Sequence, residues 1–463
     1  MNKVERQRPV EQDEIKRRSN FDPVEENLTA EQAQLEASRC LNCKNPMCRK
    51  GCPVSVNIPE FIQKVKEGDL QSAGEIIRTS NMLPSVCGRV CPQERQCESK
   101  CVLGIKGDSV AIGALERYVG DNSSPKKVDI KENGKKVAIV GSGCAGMSAA
   151  ADLRNAGFEV SVFEALHELG GVLRYGIPPF RLPRTVLDRE IEGLKEIGVK
   201  FFKNVIVGKS ITLNQLKEEG YDAIFICSGA GLPKMLGVKG ENLNGVYSAN
   251  EFLTRVNLMH ANDPEMPTPL KVGKRAAIIG GGNVAMDAAR TAVRVGYEEV
   301  YIIYRRTEEE LPARKEEIRH AKEEGVIFKL LHSPVEINGE GGIVNSIKLE
   351  VMELGEPDES GRRRPVATGK FVDMDIDAVI VSLGTGPNPI IQQSATKENI
   401  DIETDNKGYI IINENGETSV SAIYAGGDVA PRGSSTAINA MGAGKTAAKS
   451  IIEALNGAKA TSC

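Results

Sequence analysis

Eight cysteines fall in two short runs early in the chain, and thiols so closely spaced are metal-ligand material. Cys40-x2-Cys43-x4-Cys48-x3-Cys52 places four in 13 residues, with Pro53 directly after. Cys87-x3-Cys91-x5-Cys97-x3-Cys101 places four in 15, with Pro92 after Cys91. A tetrahedral zinc ion also takes four thiolates, but usually as CxxC pairs on either side of a longer loop. Dense runs with a proline beside a cysteine suit iron–sulfur ligation better, where one cysteine of a run can serve a second cluster. The runs predict two [4Fe–4S] clusters, with every cysteine in them a candidate ligand by spacing. The other three cysteines, Cys144, Cys227 and Cys463, stand alone.

Glycines mark a second chemistry, dinucleotide binding. Val137 to Val140 is an apolar run of strand length, and Gly141-x-Gly143-x-x-Gly146 then opens a helix from Met147 to Asn155. Gly141 allows the turn, Gly143 admits a pyrophosphate to the backbone beside Ala145, and Gly146 lets helix and strand pack closely. The pyrophosphate would rest on unpaired N–H groups at the positive end of the helix dipole. The next strand, Glu159 to Phe163, ends in Glu164, an acceptor for ribose hydroxyls. The pattern returns at Gly280-x-Gly282-Asn283-x-Ala285, which follows an apolar strand and opens a helix from Met286 to Val295. There the following strand, Val300 to Tyr304, ends in Arg305-Arg306 instead of an acid. Two guanidiniums at the ribose edge match a 2′-phosphate, so the second nucleotide is expected to be NADP(H); the plainer reading is an exposed strand end. Gly444-Lys445-Thr446 mimics a P-loop, but Asn439 stands where its first glycine is required and the run reads as helix. The four histidines, His167, His260, His320 and His332, adjoin no nucleophile signature.

These residues need elements to hold them. A chain of 463 residues exceeds one ordinary core, and two to four domains are expected. Residues 1–28 read as a charged, loosely packed arm. Thr29 with Gln32 reads as a capping box opening a helix to Cys40, and Ile58 to Thr79 has a helical pattern. Ser123 to Lys135 reads as a linker. Leu169 to Pro183 contains Pro178-Pro179 and reads as a shaped loop suited to covering an apolar ring. Leu187 to Ile197 looks helical, and Lys200–Val205 and Tyr221–Gly229 look like strands of the first sheet. Residues 326–383 alternate as strands around a charged hairpin from Gly355 to Gly369, with an apolar strand at Ala378–Ser382. Ala422 to Val429 gives a short strand ending in Gly427-Asp428, and Ser435 opens a last helix. The net charge of −4 and pI near 5.9 give no pull toward nucleic acid or anionic membrane. Without an apolar run beyond strand length or a signal-like start, the protein is expected in the cytoplasm, where cysteines serve metal or redox chemistry rather than disulfides.

Two nucleotide units, a Gly-Gly-Asp strand end and a terminal helix have the layout of two-dinucleotide flavoproteins, and the cysteine runs narrow the likeness. From about Leu35 onward the chain resembles the small (beta) subunit of NADPH-dependent glutamate synthase. It is similar also to the large subunit of NADH-dependent ferredoxin:NADP oxidoreductase and to the N-terminal half of dihydropyrimidine dehydrogenase. The matching pieces are Cys87-Gly-Arg-Val-Cys-Pro92, Ile112-Gly-Ala-Leu-Glu-Arg-Tyr118, Tyr175-Gly-Ile-Pro-Pro-Phe-Arg-Leu-Pro183 and Gly280-Gly-Gly-Asn-Val-Ala-Met-Asp287. The resemblance implies an α/β fold of two Rossmann-like domains, the NADPH domain (251–377) inserted in the FAD domain (123–250 and 378–463), behind a helical iron–sulfur domain (1–122). It implies FAD on Gly141, Gly143, Ala145, Gly146 and Glu164, with Gly171, Arg174, Gly427, Asp428 and Thr436 completing that site. Asp428 would meet the ribityl chain, and the helix beginning near Thr436 would aim its positive end at the flavin. NADPH would lie on Gly280, Gly282, Asn283, Ala285, Arg305 and Arg306. The implied ligand sets interleave the two runs: Cys40, Cys43, Cys48 and Cys101 for one cluster, and Cys52, Cys91, Cys97 and Glu116 for the other. Cys87 would be a bystander.

The function so implied is electron input, with NADPH reducing FAD and single electrons passing through two clusters to a large partner subunit, such as that of glutamate synthase. No general acid or base is required, because the flavin carries the hydride chemistry. The alternative within the family is the electron-bifurcating oxidoreductase, whose partner is a small flavin and iron–sulfur subunit working with ferredoxin. A disulfide reductase is disfavoured because Cys144 and Cys227 are single. The alternative from another class is a zinc-stapled binding scaffold, which would be colourless.

Overall fold

The computed structural model describes residues 4–126, 129–359, 361–431 and 436–457; Cys463 and the helix start expected at Ser435 lie outside them. The N-terminal part is helical: α1 (Ala30–Ser38), α2 (Met47–Gly51), α3 (Ile58–Glu67), α4 (Leu70–Arg78), α5 (Pro84–Val90) and α6 (Ile112–Asn122). Thr29 caps α1 as expected, its hydroxyl accepting from the Gln32 N–H at 3.2 Å while Gln32 Oε1 accepts from the Thr29 N–H at 2.9 Å. The helical stretch expected from Ile58 to Thr79 is broken in two. Gly68 ends α3 at φ +81°, and Asp69 starts α4 by accepting from the Ser72 N–H at 3.1 Å. Phe61, Ile62, Ile77 and Leu115 fill the centre of this domain, with Cys97 packed among them.

The first nucleotide unit runs through β1 (Lys136–Val140), α7 (Cys144–Asn155), β2 (Glu159–Phe163), α8 (Val172–Tyr175), α9 (Arg184–Glu196), β3 (Lys200–Phe202), α10 (Leu213–Glu218) and β4 (Ala223–Ile226). After β5 (Leu232–Pro233) come β6 (Val246–Ser248), α11 (Ala249–Asn257), β7 (Arg275–Ile279), α12 (Asn283–Val295), β8 (Glu299–Tyr304), α13 (Lys315–Glu323) and β9 (Ile327–Leu330). An antiparallel trio follows, β10 (His332–Glu340), β11 (Ile343–Pro357) and β12 (Arg363–Asp375), and then β13 (Ala378–Val381). The chain returns through β14 (Thr385–Gly386), α14 (Ile390–Lys397), β15 (Ile423–Ala425) and α15 (Ala437–Gly457).

Two parallel five-stranded sheets result, in the orders β15-β4-β1-β2-β3 and β6-β13-β7-β8-β9. The second therefore interrupts the first, and β5 pairs with β14 where the chain leaves and re-enters. Sheet membership moves the expected boundaries by one strand each. β6 and β13 pair with each other, and β13 with β7, so the inserted sheet begins before residue 251 and ends after residue 377. Apolar β13 was indistinguishable from a first-sheet strand because both are buried on two faces.

Two other expectations change. The N-terminal arm is anchored: Val24 donates its N–H to the Phe180 carbonyl at 3.0 Å, and Arg17, 1% exposed, pairs with Glu323 at 2.5 Å and Glu324 at 3.0 Å. These partners lie 156 and some 300 residues along the chain, which local composition cannot reveal. The Leu169–Pro183 stretch, expected as a shaped loop, contains the short helix α8, and its later part turns Phe180 and Arg181 toward α12. Phe180 lies beneath the guanidiniums of Arg290 and Arg294, and Arg181 pairs with Asp287 at 2.7 Å. The P-loop mimic is a helix crossing, as its rejection required. A side chain on Gly444 would strike the Ala145 carbonyl of α7, and Lys445 pairs with Asp152 at 2.8 Å. Among the described residues no helix is long and apolar enough to cross a membrane.

Candidate functional site

Three candidate sites are built by separate elements of the molecule. In the first unit Gly141, at φ +114°, turns the chain from β1 into α7, and the space beside Gly143 is open where a side chain would point. A phosphate could therefore approach the N-terminal N–H groups of α7. Glu164 is buried and held from both sides: Oε2 accepts from the Ser142 N–H at 3.0 Å and hydroxyl at 2.6 Å, and Oε1 from the Leu166 N–H at 3.0 Å. Gly171 approaches Gly143, and Gly427 approaches Ala145, so the loop after β2 and the turn after β15 close on the same helix end. Asp428 lies in that turn, Thr436 directly precedes α15, and the Thr436 carbonyl accepts from the Ala440 N–H at 3.0 Å. This cradle fits a dinucleotide. Arg174, also in the predicted set, donates its Nε–H to the Leu169 carbonyl at 2.9 Å and pairs with Asp188.

The second unit repeats the cradle at Gly280 and Gly282, with Ala285 fully buried in α12. Asn283 Oδ1 accepts from the Arg314 N–H at 2.9 Å, which fixes the loop leading into α13 against the fingerprint. The helical domain grips that loop too: Arg95 donates to the Pro312 and Ala313 carbonyls, both at 2.7 Å. The paired arginines part company. Arg305 is exposed, whereas Arg306 is buried, donating to the Arg363 carbonyl at 2.7 Å and pairing with Asp358 at 2.6 Å on the β11–β12 hairpin.

Between the first cradle and the outer surface lie the cysteines. Cys52, Cys91, Cys97 and Glu116 line one cavity, together with Phe61 and with Ile438 of α15. Cys40, Cys43, Cys48 and Cys101 lie in electrostatic reach of one another on the outer side, each partly exposed. Cys87 lines neither; it is fully buried behind Cys91. Burial pushes Cys48 and Cys52 up to about 11, and raises Cys97 well above the ordinary thiol range. Buried thiols beside one another resist ionisation until a cation joins them, so three sulfurs and a carboxylate around a cavity are suited to a positively charged metal core. Glu116 is pushed up to about 7 by burial, opposed by Asn81, whose amide donates to Oε1 at 2.6 Å. Asn81 was not found from sequence. It lies 35 residues from Glu116 and carries no motif; the positioning of Asp287 by Arg181 and of Arg306 by Asp358 was missed for the same reason.

With this geometry in hand, comparisons with known proteins divide the chain in the same way. A family described as dihydropyrimidine dehydrogenase domain II, 4Fe-4S cluster, matches residues 17–128, and one described as pyridine nucleotide-disulphide oxidoreductase matches residues 135–444. The chain is 38% identical to the glutamate synthase (NADPH) small chain of Halomonas elongata, over 98% of this chain and 97% of that one. It is 37% identical to the NADP(+)-dependent formate dehydrogenase subunit beta of Moorella thermoacetica, over 87% of this chain and 59% of that one. Among solved structures, Mycobacterium tuberculosis FprA in complex with NADPH has the same fold over 70% of this chain and 86% of its own, at 24% identity and a TM-score of 0.58.

Proposed function

Given that the chain belongs to the NADPH glutamate synthase small-chain family, and is thus an NADPH-dependent flavin and iron–sulfur oxidoreductase subunit, we propose that it carries electrons through the three sites just described. Bound FAD would supply the chemistry that turns a hydride into two single electrons. The protein's own residues position and insulate. The α7 N-terminus and Glu164 hold the flavin dinucleotide, the α12 N-terminus and Arg305 hold NADPH, and the two interleaved sets, Cys52/Cys91/Cys97/Glu116 and Cys40/Cys43/Cys48/Cys101, hold one [4Fe–4S] cluster each. Asn81 occupies one oxygen of Glu116 and so turns the other toward the cavity.

The observation that carries this reading is the cavity that Cys52, Cys91, Cys97 and Glu116 share with Ile438, because Ile438 lies in the first turn of the helix that starts beside the FAD cradle. That set is the inner one. The partly exposed set is the outer one, and exposed Leu41, Met47, Val102 and Ile105 surround it. A partner exchanging electrons there would cover apolar surface in docking, which favours a large electron-accepting subunit over diffusible dye-like acceptors. The Moorella relative is named for a different enzyme, which favours reuse of the module with more than one partner.

The test is iron analysis and EPR of the reduced, full-length chain. Each of C97S and E116A should perturb one cluster signal, C40S the other, and NADPH-driven dye reduction should persist in all three. If C97S and C40S remove the same signal, or neither removes any, the ligand sets are wrong.

A further inference from the structure

Cys87 belongs by spacing to the second cysteine run, yet it lies outside both converging sets. It is fully buried, and here its thiol donates to Met441 Sδ in α15 at 3.5 Å. Its other sulfur neighbour is Cys91, one turn along α5, which lines the inner cavity and lies within hydrogen-bond reach of the Cys87 thiol. The site is tightly built. The Cys87 carbonyl accepts from the Cys91 N–H at 3.1 Å and from the Gln93 amide at 3.2 Å, which fixes the turn between the two thiols. Met441 lies three residues after Ile438 on the same helix, also fully buried. Cys91, Cys87 and Met441 thus form a line of three sulfurs from the cavity wall to the helix that starts at the FAD cradle.

One thiol proton has two possible acceptors here. A thiolate is a stronger acceptor than a thioether, because hydrogen bonds to an ionised group are about twice as strong as those between neutral ones. With Cys91 ionised as a ligand, the proton belongs on the Cys87–Cys91 side, and Met441 packs against the back of the Cys87 sulfur.

We propose that Cys87 is a positioning residue for electron transfer between the flavin unit and the inner cluster. Its S–H donates to Cys91 Sγ and so raises the reduction potential of the cluster held there. Its sulfur also keeps the path from Met441 to Cys91 in continuous contact. Hydrogen bonds to ligand sulfurs and exclusion of solvent are the protein's means of setting such potentials. The thiol keeps its proton throughout: one electron leaves the flavin side, one arrives on the cluster side, and no bond at Cys87 is made or broken.

The inference rests on Cys91 being a ligand, and the variants separate the two ideas. In full-length, cluster-loaded protein, C87A should keep both clusters by iron content and EPR, yet one cluster should become harder to reduce in an EPR-monitored titration. C87S, which restores a donor, should recover most of that shift, and the outer cluster's signal should not move. M441L keeps the volume and loses the sulfur; it should slow NADPH-driven cluster reduction several-fold relative to flavin bleaching in the same trace. Unchanged potentials in C87A overturn the proposal. Loss of a cluster in C87A also overturns it, since Cys87 would then be a ligand. Retention of both clusters in C91S would instead sink the ligand assignment beneath it.

Discussion

Arg305 and Arg306 leave β8 side by side and end in different surroundings. Arg306 is turned inward, held by the Arg363 carbonyl and Asp358, while Arg305 faces solvent at the end of β8. A guanidinium already paired at 2.6 Å with a carboxylate is poorly placed to take a 2′-phosphate as well, so the two positions should respond differently to truncation. R305A should lose one charge-assisted contact of about 1.5–3 kcal/mol, which raises KM for NADPH roughly tenfold or more and leaves KM for NADH nearly unchanged. R306A removes the guanidinium that ties Asp358 and the Arg363 carbonyl of the hairpin to the end of β8, and its main effect should be a lowered melting temperature. Steady-state kinetics with both nucleotides, beside a thermal melt, distinguishes the two roles. A larger loss of NADPH preference in R306A than in R305A would reverse them.

Elements pack here through charges that the sequence shows but does not pair. The arm's Glu25 meets Glu316 of α13, with Arg117 of α6 at 3.3 Å, and Arg117 also donates to the Glu25 carbonyl at 2.8 Å. Burial, then the Glu316 carboxylate, pushes Glu25 up to about 8, with Arg117 and Arg314 opposing. A carboxyl raised in this way binds its proton more tightly folded than unfolded. Its contribution to docking the arm is therefore complete below the ordinary 4.5 and disappears as pH rises through about 8. E25Q mimics the protonated group, so melts between pH 6 and pH 9 should show wild type losing stability that E25Q keeps; parallel curves would remove Glu25 from the account. What was legible at this scale follows the range of the interaction. Caps, strands and fingerprint turns such as Thr29–Gln32 and Gly141 are set by neighbours within four residues, and they were read correctly. The interleaved ligand sets came from resemblance, since spacing alone offered Cys87 as readily as Cys97. The arm's anchoring, the split of the helix at Gly68 and the capture of Arg306 depend on tertiary partners or on one glycine's conformation, and no local pattern encodes them.

Across the whole molecule the same charges hold the units at fixed positions. Arg181, from the loop of the first unit, meets Asp287 and Glu317 of the second at 2.7 and 2.8 Å. Glu317 continues to Arg290 at 2.5 Å, and fully buried Glu324 faces Arg290, Arg294 and the arm's Arg17. Despite burial, Arg294 and Arg290 hold Glu324 down to about 2, so it is ionised at every working pH. Removing that charge leaves three buried guanidiniums short of a partner. E324Q should cost about 3–5 kcal/mol in a denaturant titration, the penalty for breaking a buried pair from one side; a loss under about 1 kcal/mol would mean the network is solvated. A molecule so braced relays electrons, and its two isolated described cysteines are not set up to cleave an amide. Among the described residues, Cys144 is pushed up to about 12 by burial, with Asp428 adding to the shift, and burial raises Cys227, beneath the Gly141 carbonyl, well above the ordinary thiol range. Neither thiol ionises near neutral pH, and releasing ammonia from glutamine requires an activated nucleophile with a base in reach. The cysteines of the two runs are claimed by the cluster region. The isolated chain should therefore reduce ferricyanide or a tetrazolium dye with NADPH but form no glutamate from glutamine and 2-oxoglutarate until a large subunit is added. Glutamate detected by chromatography, from a preparation showing a single polypeptide on a gel, would place the amide chemistry in this chain and overturn its reading as a pure electron relay.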